Sequence, residues 1–111
     1  MPVPEIGKPL PRAEDAYSTP EKWELWILAD DRHGPDWRAV FGEVDAETAW
    51  SALAQAVLAA PVVSVQRTGA HVTYRVDVVL TLNRRTAIVR SAWHYSDENA
   101  APRLVTAFPT T

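Results

Sequence analysis

Arg75, Arg90, His94 and Arg103, with His71 and Asp77, all fall in stretches whose apolar residues recur with a period of two. Side chains of a strand point alternately to opposite faces. Parity therefore puts His71, Arg75 and Asp77 on one face of "HVTYRVDVVLT", and Arg90 and His94 on one face of "TAIVRSAWHY". If these meet Arg103 on the solvent side, the result is a cationic cluster holding a titratable imidazole. Arginines grip phosphate and stabilise the charge of its transition state. A histidine near neutrality moves a proton between a 2′-hydroxyl and a leaving group. The candidate catalytic residues are Arg90, His94 and Arg103; His71 or Asp77 can supply a second acid/base group, and Arg75 a phosphate contact. These are the parts of a metal-independent ribonuclease. The plainer alternative is a polar sheet face whose Arg–Asp cross-strand pairs stabilise it by less than ~1 kcal/mol.

Trp37 is the remaining candidate substrate-binding residue. It follows Gly34-Pro35, where a partly exposed indole could stack a base or anchor a protein partner; the competing reading is core. Trp93, Trp23, Trp26 and Trp50 read as core anchors. Other chemistries lack their parts. The chain has no cysteine, which removes thiolate nucleophiles, disulfides and zinc ribbons. Asp30, Asp31, His33 and Asp36 crowd one segment, but the spacing fits no calcium loop, and a solvated helix end accounts for them. Ser91 has no evident base, and no Gly-rich phosphate loop or G-x-S-x-G elbow occurs. No metal and no cofactor are predicted. The net charge of −3 and pI of about 5.5 leave room only for a local basic patch toward nucleic acid.

The elements that must position these residues follow from pattern. At 111 residues the chain reads as one domain. Residues 1–17 carry prolines at 2, 4, 9 and 11 and read as an extended arm across the surface; residues 18–111 form the folded unit. No apolar signal-peptide core is present. No apolar run reaches 18 residues, so no helical membrane span is expected. "STPEKWELWILADD" starts a helix, with Thr19 as N-cap, Pro20 in the first turn, and Trp23, Trp26 and Ile27 on one apolar face. Pro35 or Asp36 begins a short second helix that Gly42 ends. Asp45 caps a third, "AETAWSALAQAVLAA", with Ala49, Trp50, Leu53, Val57 and Ala60 as its buried stripe. "VVSVQRT", "HVTYRVDVVLT", "TAIVRSAWHY" and "RLVTAF" then read as four strands joined by short turns, with Leu104, Thr106 and Phe108 sharing a face. Helices before strands, with short connections, predict an α+β fold: about three N-terminal helices packed on a four-stranded antiparallel sheet.

The ending "VRSAW" (89–93) followed by "PRLVTAFP" (102–109) resembles that of a little-characterised bacterial domain family, found as small stand-alone proteins and as C-terminal domains of polymorphic toxins. "LP" at 10–11, "AEDA" at 13–16, "PEKWELWIL" at 20–28, and His33-Gly34 leading to Phe41 extend the likeness over roughly residues 9–109. Two departures stand out. Trp37 occupies the place of a lysine in a "GRHKA"-like segment, with Arg38 the nearest cation, and a "GPNGR"-like turn is shortened to Leu82-Asn83-Arg84-Arg85. The resemblance implies N-terminal helices on an antiparallel sheet, a plan similar to that of small ribonuclease toxins; function does not follow from fold. Two expectations result. The first is a toxin-like, cytoplasmic, metal-independent ribonuclease acting on RNA and covered by a cognate immunity or antitoxin protein. The second is a non-catalytic protein-binding domain related to such toxins, which the tryptophan excess and the Trp37 substitution favour.

Overall fold

The computed structural model describes residues 6–97 and 99–110; the prolines at 2 and 4, with Glu98 of the 96–102 loop, lie outside them. Three helices precede a four-stranded antiparallel sheet: α1 (Pro20–Lys22), α2 (Gly34–Phe41), α3 (Ala46–Val57), then β1 (Val62–Thr68), β2 (His71–Leu82), β3 (Arg85–Tyr95) and β4 (Arg103–Pro109). The sheet order β1-β2-β3-β4 is a simple meander, as short turns require. This is the expected α+β architecture.

Each turn has its chemical reason. Gly69 has φ 63° at the first position of the β1–β2 turn, where a two-residue hairpin needs a left-handed residue. Asn83 and Arg84 both have positive φ, so the shortened β2–β3 turn is also a primed hairpin. Asn83 Nδ2 donates to the carbonyls of Phe41 and Glu43 at 2.9 and 2.7 Å, tying that turn to the end of α2. Asp45 accepts from the Thr48 amide at 2.7 Å and caps α3; Thr19 Oγ1 accepts from the Lys22 amide and caps α1.

The inward sheet face carries Val72, Tyr74, Val76, Val78, Leu80, Val89, Ser91, Trp93, Tyr95, Leu104 and Ala107. Against it pack Trp23, Ile27, Trp37, Phe41, Ala49, Leu53 and Val57. The indoles form a chain: Trp37–Trp23 at 5.7 Å, Trp23–Trp50 at 6.4 Å and Trp50–Trp93 at 6.0 Å between centroids. Ser91 is the buried polar residue of this face. Its Oγ donates to the Val76 carbonyl at 2.7 Å and accepts from Trp93 Nε1 at 2.8 Å, so neither buried group is left unpaired.

Two expectations are corrected. After Lys22 the first helix widens into a π-helical turn, Trp23–Ile27, closed by the Leu28 amide on the Trp23 carbonyl at 2.7 Å. A wider turn keeps residue i+4 near residue i but rotates i+3 away. Trp23 and Ile27 are therefore buried, while Trp26 is 49% exposed rather than core; Arg32 covers its ring, Cζ at 4.5 Å. In β4 a register shift opposite Ala92/Trp93 breaks the alternation. Leu104 and Ala107 point inward, whereas Thr106 and Phe108 lie opposite Ala92 and Arg90 on the other face, so Leu104, Thr106 and Phe108 do not share a side. The described part of the arm, residues 6–17, lies docked along the body. Leu10 and Ala13 are buried, Val62 exchanges hydrogen bonds with Gly7 and Lys8, and Tyr17 does so with Pro102 and Leu104. Apolar residues within a proline-rich segment explain why it docks: prolines remove donors without removing burial.

Candidate functional site on the outward sheet face

Register assigns the outward face row by row. Gln66, Thr73, His94 and Arg103 form one row across the four strands; Ser64, Arg75, Ala92 and Thr106 form the next; Asp77, Arg90 and Phe108 form the third. Rows lie about 6.7 Å apart along the strands. Arg90 is thus about 13 Å from His94 on the same strand, and five of the six polar candidates divide into two groups, with Arg75 in the row between them.

The first group is His71, His94 and Arg103. His71 Nδ1 and His94 Nε2 are 3.0 Å apart, with the rings stacked at 5.1 Å between centroids. One nitrogen carries the proton and the other accepts it. Arg103 is His94's register partner on β4 and its side chain is exposed. Burial first, then the charges of Arg103 and His71, lower the His94 pKa below its ordinary value. Arg75 stands one row further along, exposed.

The second group is Asp77 and Arg90, direct cross-strand partners. Arg90 Nε and Nη2 donate to the two carboxylate oxygens at 3.1 and 3.3 Å, a two-pronged pair. The hydrogen bond and then the charge of Asp77 hold the guanidinium proton above its ordinary pKa. Both side chains are partly covered, and the Nε–Nη2 edge that Arg90 would offer a phosphate as a fork is engaged by Asp77.

Trp37 lies on the other side of the sheet. It is 1% exposed and its Nε1 donates to the Ala107 carbonyl at 3.1 Å, so it offers no face for base stacking. The nearby acidic segment is also dispersed: Arg38 pairs with Asp30 at 2.8 Å, and His33 stacks on Phe108 at 4.8 Å. No helix among the described residues is long and apolar enough to cross a membrane.

Sequence reasoning missed a cleft of about 390 Å³ between the start of α1 and the start of α3, lined in part by Ser18, Trp23, Glu24, Glu47 and Trp50. The signal was present as two tryptophans each next to, or three residues from, a glutamate; reading both indoles as core hid it.

The lowered His94 value has a consequence for stability. Unfolded, this histidine titrates near 6.5. The unfolded chain then takes up the proton first. The contribution to stability is full above about pH 6.5, declines as the pH falls through the folded value, and is lost below it. Urea titrations between about pH 7.5 and pH 5 should show wild type losing stability that His94→Gln retains. Parallel pH profiles for the two proteins would contradict this account.

Comparison with curated proteins and with solved structures returned no match. One family model matches residues 9–111, beginning in the docked arm and running through β4, and it carries the description Domain of unknown function. With nearly the whole fold inside the matched range, the chain belongs to the DUF6883 family.

Proposed function

We propose that the outward sheet face is a metal-independent ribonuclease site of a toxin-like domain, centred on His71, His94 and Arg103, with Arg75 as a further phosphate contact. The observation that carries the reading is the 3.0 Å imidazole–imidazole hydrogen bond beside Arg103. A singly protonated histidine pair keeps that bond, because the charged ring donates and the neutral ring accepts. That bond occupies the one lone pair of the neutral ring, so it must open as substrate enters. The separated rings then hold one acid and one base, the base taking the 2′-hydroxyl proton as that oxygen bonds to phosphorus and the acid giving its proton to the departing 5′-oxygen. Burial and the charge of Arg103 disfavour a proton on His94, which supports His94 as the base in this scheme, with His71 as its partner. Arg103, with Arg75, offers guanidinium donors to the non-bridging oxygens. Arg90 acts in this scheme by fixing Asp77 and the strand pair, so its role is positioning. The bacterial, cytoplasmic toxin setting and a cognate immunity or antitoxin protein covering this face belong to the same proposal.

A second reading is a non-catalytic protein-binding domain. It is favoured by Val79 and Ile88, register partners on the same outward face that are 66% and 49% exposed; adjacent exposed apolar side chains suit a protein partner.

The deciding experiment is incubation of the purified protein with RNA in EDTA. Cleavage leaving cyclic 2′,3′-phosphate ends is expected, with a bell-shaped pH dependence. It should be lost in His71→Ala and His94→Ala, and weakened but not abolished in Arg90→Ala. Intact RNA with the wild type would reject the ribonuclease reading. If Val79→Asp at the same time abolished capture of a cognate protein, the binding reading would stand in its place.

A further inference from the structure

We infer that the cleft between α1 and α3 binds a small organic ammonium compound that also carries a neutral hydrogen-bond acceptor. Two independent observations lead there. The first is composition and charge. The cleft is walled by Trp23 and Trp50, whose ring centroids lie 6.4 Å apart at 56°, and flanked by exposed Glu24 and Glu47. Among the described residues no lysine or arginine lines it. Indole faces with nearby carboxylates attract a cation whose charge is spread over alkyl groups, because such an ion is weakly hydrated and fits the ring quadrupole. The α3 N-terminus by itself would favour an anion, but Asp45 caps it and Glu47 stands in its first turn, which reverses the local sign.

The second observation is unmet hydrogen bonding. Trp23 is 2% exposed, yet among the described residues its Nε1 has no partner, and neither does Ser18 Oγ. Both belong to side chains that line the cleft. A buried donor without an acceptor is costly, and an indole N–H can only donate. Nε1 is covered in this structure, so a ligand oxygen would reach it by a small shift of the cleft wall while the ammonium group rests against Trp50 between the glutamates. The volume of about 390 Å³ lies within the usual range for small-molecule sites. The cleft is distinct from the histidine face, which lies on the opposite side of the sheet.

Calorimetric titration of the full chain with three probes tests this. Acetylcholine has both features; tetramethylammonium lacks the acceptor; 3,3-dimethylbutyl acetate is the uncharged counterpart of acetylcholine. Acetylcholine should bind at least tenfold tighter than the neutral ester, with tetramethylammonium between them. Glu47→Gln and Trp50→Leu should each weaken acetylcholine about tenfold. Trp23→Phe should bring acetylcholine down to the level of tetramethylammonium; Glu24→Gln, an exposed change, guards against a variant that fails to fold and should weaken both cations. Equal binding of the charged and neutral esters, or no saturable heat from any probe with wild type, would overturn the inference. His94→Ala should leave all three affinities unchanged.

Discussion

Replacing Trp93 by alanine should lower the free energy of unfolding by about 3–5 kcal/mol, as measured by urea titration. Trp93 is fully buried on β3 and packs on Trp50. Truncation removes the largest side chain of the inward sheet face and leaves a void that the flanking strands, fixed by their ladders, cannot close. It also takes the partner from Ser91 Oγ, although that hydroxyl keeps its bond to the Val76 carbonyl. Such a loss is a large part of the total stability of a domain this size, roughly 5–15 kcal/mol. Trp93→Phe should cost clearly less, since it retains much of the ring and loses only the Nε1 donor. A Trp93→Ala change below about 1 kcal/mol would mean that the core closes around the gap and that the indole chain is not a packed unit.

Gly34→Ala should destabilise by about 3 kcal/mol, the upper part of the range for overpacking. Gly34 opens α2 and is buried. A Cβ there would meet the Leu28 carbonyl oxygen and lie 2.6 Å from that of Ala29. These are backbone atoms, so no flexible tip can swing away. The Gly34 amide also donates to the Ala29 carbonyl at 3.0 Å, which locks the close approach. Any shift must displace α2 and with it Trp37 and Phe41, both buried against the sheet. Gly7→Ala makes a useful contrast: its added Cβ would meet nothing within 4 Å, so only its positive φ resists the change. Equal stability of Gly34→Ala and wild type would show that the Leu28–Gly34 segment yields.

The fold was legible because its signals were local and agreed with each other. Thr19 and Asp45 cap the helices they announce, and the period-two run from Val72 to Leu82 is one strand with one buried face. The site was legible only in part. Parity correctly put His71, Arg75, Asp77, Arg90 and His94 on one side. Parity has no power over position along the strands, and the pairing register decided that Arg90 meets Asp77 and that His94 meets His71 and Arg103. The β4 bulge and the π-helical turn at Trp23 escaped for a related reason: one extra residue in a repeating pattern leaves composition unchanged but rotates every later side chain. Trp37 shows the limit of reading exposure from neighbours. Gly34-Pro35 suggested a surface turn, whereas the glycine is there because the backbone passes so closely, and that closeness carries Trp37 into the core.

The docked arm has a kinetic side. Within the sheet each strand pairs with its sequence neighbours, so the meander can assemble by closing small loops. The arm's bonds are different in scale. Gly7 and Lys8 meet Val62, Tyr95 Oη donates to the Pro11 carbonyl at 2.7 Å, and Tyr17 meets Leu104. Closing loops of this length costs more chain entropy than a hairpin does, and the docking surface does not exist until β3 and β4 have paired. The first segment of the described chain is therefore expected to settle after the meander, and until it docks the outward backbone groups of Val62 and Leu104 stand unpaired.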